Sequence, residues 1–199
     1  SNGIKIFHPN STIFQNFDLS NLEKINSKEE DFTVWALCYF QNNFIIGTSQ
    51  GLFYNSSESK FNSLKLPNNL HNKVYTSFCT FNENLILANS DQELIVLNKN
   101  LELKEIISLT QFEGKNVPFK LISFNDKLII ISSGGIYYLN KNFEIQRYIR
   151  LKDLNSNLSE YCLAMFIDSK NNFWFGGTRS LLLSKDNFKN NIYLKHNPT

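Results

Sequence analysis

Residues 34–55 read VWALCYFQNNFIIGTSQGLFYN, and residues 161–186 read YCLAMFIDSKNNFWFGGTRSLLLSKD. Both stretches contain an apolar strand, a polar turn with Asn-Asn, a second apolar strand, a turn of small residues and a third strand. Two further stretches, residues 75–100 and 119–142, follow the same order. This self-similarity indicates a tandem repeat, which decides the fold before any other feature is considered.

The period of the repeat is read from the first apolar residue after each polar turn. These markers are Phe44, Leu85, Leu128 and Phe173, so the successive spacings are 41, 43 and 45 residues. A period of about 40–50 residues with four strands is typical of a β-propeller blade. A fourth, more polar strand of each repeat is expected near residues 61–66, 101–109, 144–151 and 188–194. The predicted fold is therefore all-β.

The repeat also predicts the domain organisation, a single partial propeller over residues 1–199. Four full blades are expected at residues 32–70, 74–110, 117–152 and 160–196. Residues 3–19 resemble the third and fourth strands of a preceding blade. Four blades and a half favour a fragment of a larger propeller, and a small open or domain-swapped assembly is the alternative.

Composition and charge exclude some classes of partner. The chain has 20 basic and 18 acidic residues and a net charge of +2, without the basic block of a nucleic-acid-binding protein. No apolar run approaches the roughly 20 residues that cross a bilayer. Asparagine is abundant, and we interpret this as a bias of genome composition rather than as a functional signal.

The cysteines and histidines do not form a recognisable chemical site. Cys38 and Cys79 are predicted to share a register position with Ile122 and Met165, which indicates apolar packing between blades. Three cysteines without a close-spaced pair match neither a zinc site nor a disulfide framework. Three histidines lie in separate connections without a carboxylate at ligand spacing; they are His8, His71 and His196. The sequence thus predicts no catalytic residue, metal or cofactor.

Aromatic residues near the beginnings of first strands are the candidates for ligand binding. Trp35, Tyr75 and Tyr161 could lie near the mouth of the central channel and stack on a sugar ring. Packing within the blades is the alternative for each of them. Trp174, in a second strand, is expected to pack against a neighbouring blade.

The strongest repeats resemble a known family. IDSKNNFWFGG and WALCYFQNNFIIGTSQGL are similar to the two-component regulator propeller repeat, an apolar strand with Asp-x-x-Gly-Asn, then Leu-Trp-Ile-Gly-Thr and Gly-Leu. The matching residues are Asp168, Asn172, Trp174 and Gly176 in the last repeat and Gly47, Thr48, Gly51 and Leu52 in the first. The middle repeats have Ala88-Asn89 and Ile131-Ser132 in place of Gly-Thr.

The resemblance implies a function. Repeats of this family form the periplasmic sensor region of bacterial hybrid two-component systems, which detects oligosaccharides or other nutrients and signals to a histidine kinase elsewhere in the protein. It implies a periplasmic or extracellular, non-enzymatic module whose partners are an oligosaccharide and a second copy of the chain. A propeller scaffold for protein–protein interaction and a polysaccharide-active or lyase-type enzyme are the alternatives.

Overall fold

The computed structural model describes residues 3–7, 14–18, 33–57, 60–71, 73–110, 117–154, 162–177, 180–185, 188 and 190–195. Four antiparallel sheets of four strands dominate this part of the chain, and we call them blades 1 to 4 in chain order. A separate antiparallel pair precedes them, formed by β1 (Gly3–Phe7) and β2 (Phe14–Asp18). The described part thus contains the four blades and the additional strand pair that the repeat predicted.

Each blade is a meander in which sequential strands pair. Blade 1 contains β3 (Val34–Phe40), β4 (Asn43–Thr48), β5 (Gly51–Ser57) and β6 (Lys60–Ser63). Blade 2 contains β7 (Tyr75–Phe81), β8 (Asn84–Asn89), β9 (Glu93–Leu97) and β10 (Leu103–Ser108). Blade 3 contains β11 (Pro118–Phe124), β12 (Lys127–Ser132), β13 (Gly135–Leu139) and β14 (Ile145–Arg150). Blade 4 contains β15 (Cys162–Ile167), β16 (Phe173–Gly177), β17 (Ser180–Lys185) and β18 (Asn190–Lys195).

Two short helices lie between blades. Helix α1 (Asn68–His71) precedes blade 2 and α2 (Leu151–Leu154) follows blade 3. The chain divides into two compact units, Ser1–Thr76 and Ser77–Thr199. We describe each unit by itself.

The first turn of each of blades 1 to 3 is a two-residue hairpin turn. Gln41 and Asn42 have φ of 48° and 61°, and Asn125 and Asp126 have φ of 47° and 59°. Positive φ at both central positions is the requirement of a type I′ turn, whose twist matches that of the paired strands. Asn and Asp tolerate this conformation better than most residues, which explains why polar residues punctuate the repeat.

Among the described residues of the second unit, two apolar clusters join neighbouring blades. One joins blades 2 and 3 and includes the fully buried Ile86, Val96, Ile130 and Tyr137. The other joins blades 3 and 4, and its buried members include Ile129, Phe173 and Phe175. Because successive side chains of a strand point to opposite faces, β12 supplies Ile130 to one cluster and Ile129 to the other. In the first unit, blade 1 buries Ile45, Ile46 and Phe53.

The register of the strands corrects one prediction. Cys38 pairs with Ile45 and Ile122 pairs with Ile129, in each case the residue after the marker of the second strand. In blade 4 the residue after the marker is Trp174, and it pairs with Phe166, not with Met165. The prediction of Met165 was wrong because the first turn of blade 4 contains three more residues than those of blades 1 and 3, so counting along the strand shifted the register by one.

Candidate functional site

The first turn of blade 4, residues 168–172, is organised by a single carboxylate. Asp168 Oδ1 accepts hydrogen bonds from the backbone N–H groups of Lys170 and Asn172, each at 2.9 Å. Its Oδ2 accepts from the side-chain amide of Asn172 and from the indole N–H of Trp174, also at 2.9 Å. Asp168, Asn172 and Trp174, which carry the family resemblance, therefore shape the turn.

These donors hold the pKa of the Asp168 carboxyl well below its ordinary value of 3.8, with the Trp174 indole as the largest cause and the Asn172 amide as the next. A lowered folded-state pKa contributes stability at pH values above the ordinary pKa, and this contribution is lost as the pH falls toward the folded-state value.

We expect Asp168→Asn to lower the Tm at pH 6 by several degrees, because an amide NH2 would face the donors that the carboxylate accepts. The Tm difference from wild type should shrink as the pH falls from 5 to below 3, as measured by circular dichroism melts. A difference that stays constant over this range would contradict the assignment.

Asparagine side chains organise several other turns in the same way. Asn98 Oδ1 accepts from the backbone N–H groups of Asn100 and Glu102, and its amide donates to Glu102 Oε2 at 2.8 Å. Asn140 makes the equivalent three bonds with Asn142 and Glu144. Local hydrogen bonds of this kind favour turns over extended structure. The abundance of asparagine therefore has a structural role that the interpretation as genome bias missed. The sequence did contain a sign of this role, because NKNLE at residues 98–102 is repeated as NKNFE at residues 140–144.

In blades 1 to 3, the last residue of the second strand has a side-chain oxygen that forms a hydrogen bond across the turn to the third strand. In blade 1 the Thr48 hydroxyl donates to the Gly51 carbonyl at 3.0 Å, and in blade 3 the Ser132 hydroxyl donates to the Gly135 carbonyl at 2.9 Å. In blade 2 the Asn89 side-chain oxygen accepts from the backbone of Glu93. The departures from Gly-Thr in the middle repeats thus keep an oxygen at this position.

A cavity of about 410 Å³ lies within the second unit, between the first turn of blade 3 and the first turn of blade 4. We call it the turn cavity. Volumes of this size are typical of small-molecule sites. Some of the residues that line it lie in or next to the two turns. The others belong to the strand faces through which blades 3 and 4 pack together.

Aromatic rings form the apolar walls of the turn cavity. Phe124 and Phe173 come from the two blades and meet edge to face, with ring centroids 6.0 Å apart. Tyr138 lines the cavity from β13, and its ring contacts Phe188 edge to face at 6.2 Å. Rings in this arrangement give a rigid surface against which the C–H face of a ligand can pack.

Polar side chains line the rest of the turn cavity. They comprise two ammonium groups and three amides, and they are Lys127, Lys170, Asn125, Asn171 and Asn172. All except the half-buried Asn172 are exposed. The cavity therefore has an apolar wall and a rim of hydrogen-bond donors.

Tyr138 lines the cavity, but its hydroxyl is buried and does not face the accessible space. Tyr138 is only 5% exposed, and its hydroxyl has no hydrogen-bond partner among the described residues. Burial raises the pKa of this phenol above its ordinary value, with an opposing effect of the Arg147 charge, so the group stays protonated at neutral pH. A buried hydroxyl without a partner costs about 1–3 kcal/mol, and this one is too deeply buried to offer a hydrogen bond to a molecule in the cavity.

The three residues predicted from the sequence as binding candidates have different environments. Trp35 is 56% exposed on β3. Tyr75 is fully buried, and its hydroxyl donates to the Leu70 carbonyl at 2.9 Å, so its ring offers no surface for stacking. Tyr161 lies outside the described residues. No sequence signal pointed to the turn cavity, because it exists only where two turns of successive repeats, whose markers Leu128 and Phe173 are 45 residues apart, become neighbours.

The other residues considered from the sequence add no chemical site in the described part of the chain. Burial raises the pKa of the Cys38 thiol to about 12, as expected for a packing residue. His8 and His196 lie outside the described residues, as does the side chain of His71. Among the described residues, no group of three or more His, Cys, Asp or Glu is close enough to hold a metal ion. No helix there is long and apolar enough to cross a bilayer.

Blade 4 has an exposed apolar face opposite its contact with blade 3. Strand pairing places Phe166, Trp174, Leu183 and Ile192 in one row across the sheet, and Phe166 is 64% exposed. The corresponding positions of blade 3 include Ile122, Ile129 and Tyr138, all of which pack in the cluster with blade 4. We call this row the open face of blade 4.

Solved structures with the same arrangement of strands decide the fold. Virginiamycin B lyase from Staphylococcus aureus matches with a TM-score of 0.69 and 11% identity, over 94% of this chain and 61% of that chain. The chain has the β-propeller fold. The extracellular domains of two candidate signalling systems of B. thetaiotaomicron match the propeller too. One is of the hybrid two-component type, with a TM-score of 0.64 and 11% identity over 82% of this chain and 23% of that chain. The other is of the one-component type, with a TM-score of 0.65 and 18% identity over 92% of this chain and 24% of that chain.

These neighbours agree with the predicted fold class, and the sensor domains are of the kind that the repeat resemblance implied. The propeller spans about three-fifths of the length of the lyase and about a quarter of the length of the sensor domains. No family model and no curated protein matches the sequence.

Proposed function

We propose that this propeller is the ligand-sensing module of a periplasmic or extracellular two-component sensor, and that its ligand is an oligosaccharide or another nutrient. The observation that carries the proposal is the turn cavity, which combines an apolar aromatic wall with a rim of donors in a volume of about 410 Å³. The Asp168 turn supports it, because Asn172, one of the residues of the family resemblance, lines the cavity and is held in place by its hydrogen bonds to Asp168. In this proposal the module binds its ligand without chemical conversion.

Thermal melting against a panel of plant and host oligosaccharides tests this function. A ligand that binds only the folded state at a concentration about 100 times its Kd stabilises the protein by about 2.7 kcal/mol. We expect one glycan class to raise the Tm. Unchanged melting with every member of the panel, neutral and acidic, would overturn the sensor proposal.

A second candidate function, a scaffold that assembles with a second copy of the chain, is favoured by the open face of blade 4. Exposed apolar patches of this kind often mark interaction sites. The occupant with the required chemistry is the face of blade 1 that exposes Trp35, Leu37 and Tyr39. In the strand register, Leu37 of blade 1 corresponds to Leu121 of blade 3, and Leu121 packs against blade 2. Packing of blade 1 of one copy on blade 4 of another would therefore repeat the kind of contact that joins blades 2 and 3.

We expect Phe166→Glu to abolish concentration-dependent association in sedimentation velocity without lowering the Tm, because this side chain is exposed in the single chain. Lys104→Gln on the exposed surface of β10 is the control and should associate like wild type. A wild-type chain that stays monomeric at every concentration would exclude this scaffold.

A further inference from the structure

We infer that the turn cavity binds a small hydroxylated carboxylate, such as the uronic acid unit of an acidic oligosaccharide. The inference rests on the proposed function and specifies the chemistry of its site.

The charge of the cavity favours an anion. Lys127 and Lys170 line it, and none of the described lining residues is acidic. The acidic residues of the two adjoining turns do not line the cavity, and their oxygens bind other groups. Asp126 forms an ion pair with Lys141 at 3.4 Å, and Asp168 accepts four hydrogen bonds within its own turn. The two ammonium groups therefore face the cavity without an acidic partner in its lining, and a carboxylate would supply the missing charge.

The remaining groups favour a ligand with hydroxyls and an apolar face. The amides of Asn125 and Asn171 can both donate and accept hydrogen bonds, as sugar hydroxyls require. Phe124 and Phe173 provide an apolar wall for the C–H face of a ring. The volume holds one or two such rings.

The test compares a galacturonic acid trisaccharide with the neutral galactose trisaccharide by isothermal titration calorimetry on the full chain. We expect the acidic sugar to bind at least about ten times more tightly, and its affinity to fall when NaCl is raised from about 50 to 300 mM. Lys127→Gln and Lys170→Gln should each weaken its binding about three-fold, whereas Lys104→Gln should not.

The outcomes also separate the inference from the proposed function. Equal binding of both trisaccharides, insensitive to salt and to the lysine substitutions, would overturn the acidic ligand and leave the sensor proposal intact. If neither trisaccharide binds while another neutral glycan of the panel does, the acidic ligand is likewise excluded. If nothing in the panel binds, both proposals fail.

Discussion

Gly135→Ala is expected to destabilise the protein by about 3 kcal/mol and to lower the Tm by roughly 6–12 °C. Gly135 begins β13, and a Cβ at this position would overlap the Tyr148 ring and lie 2.5 Å from the Ile149 carbonyl oxygen. The ring could shift, but the carbonyl belongs to the paired strand β14 and is fixed by the sheet. The substitution therefore has to push two strands of blade 3 apart.

Gly176→Ala is the matched control for this prediction. A Cβ there would meet the Cβ of Ala164 at 3.6 Å, which is ordinary van der Waals contact. We expect a change in Tm of no more than about 3 °C, in either direction. If Gly135→Ala and Gly176→Ala melt alike, the close approach inferred for blade 3 is wrong.

Ile130→Ala is expected to cost about 2–5 kcal/mol in free energy of unfolding. Ile130 is fully buried in the cluster that joins blades 2 and 3, so the truncated side chain leaves a cavity between two sheets that cannot readily move together. Urea denaturation followed by circular dichroism measures the change.

Ile106→Ala on β10 removes the same atoms from a residue that is 40% exposed, and it should cost less than about 1 kcal/mol. Equal effects of the two substitutions would mean that the contact between blades 2 and 3 contributes little to stability.

The sequence predicts the strands because their signals are local. The markers Phe44, Leu85, Leu128 and Phe173 all lie in the second strand of a blade, at or next to its first residue. The register position assigned to Met165 was wrong because the first turn of blade 4 is longer than those of blades 1 and 3. The register of a strand depends on the length of the turn as well as on the strand itself. Gly51 and Gly135 hold the same repeat position for different reasons, a φ of 114° in one and a close approach in the other, which no pattern of letters distinguishes.

The candidate site depends on non-local information. Lys127 and Lys170 lie in different repeats, and only the packing of blade 3 on blade 4 brings them to one cavity. Tyr138 resembles any other apolar strand residue in the sequence, because only the packing of the two blades makes it part of the cavity wall. Trp35, in contrast, attracts notice as a rare residue type although its structural setting is an exposed strand face.

In the described part of the chain, blade 3 packs on a neighbour at both of its faces, whereas blade 4 packs on a neighbour at one. In a stack where each module contacts only its neighbours, a module with two contacts opens only when both are lost. The backbone amides of β12 and β13 should therefore exchange with deuterium far more slowly than those of β18. Since the turn cavity lies on the boundary between blades 3 and 4, a molecule bound there would hold the faster-exchanging blade against the slower one. Ligand binding would then slow amide exchange across blade 4. The ligand would change the rigidity of this blade without changing its conformation.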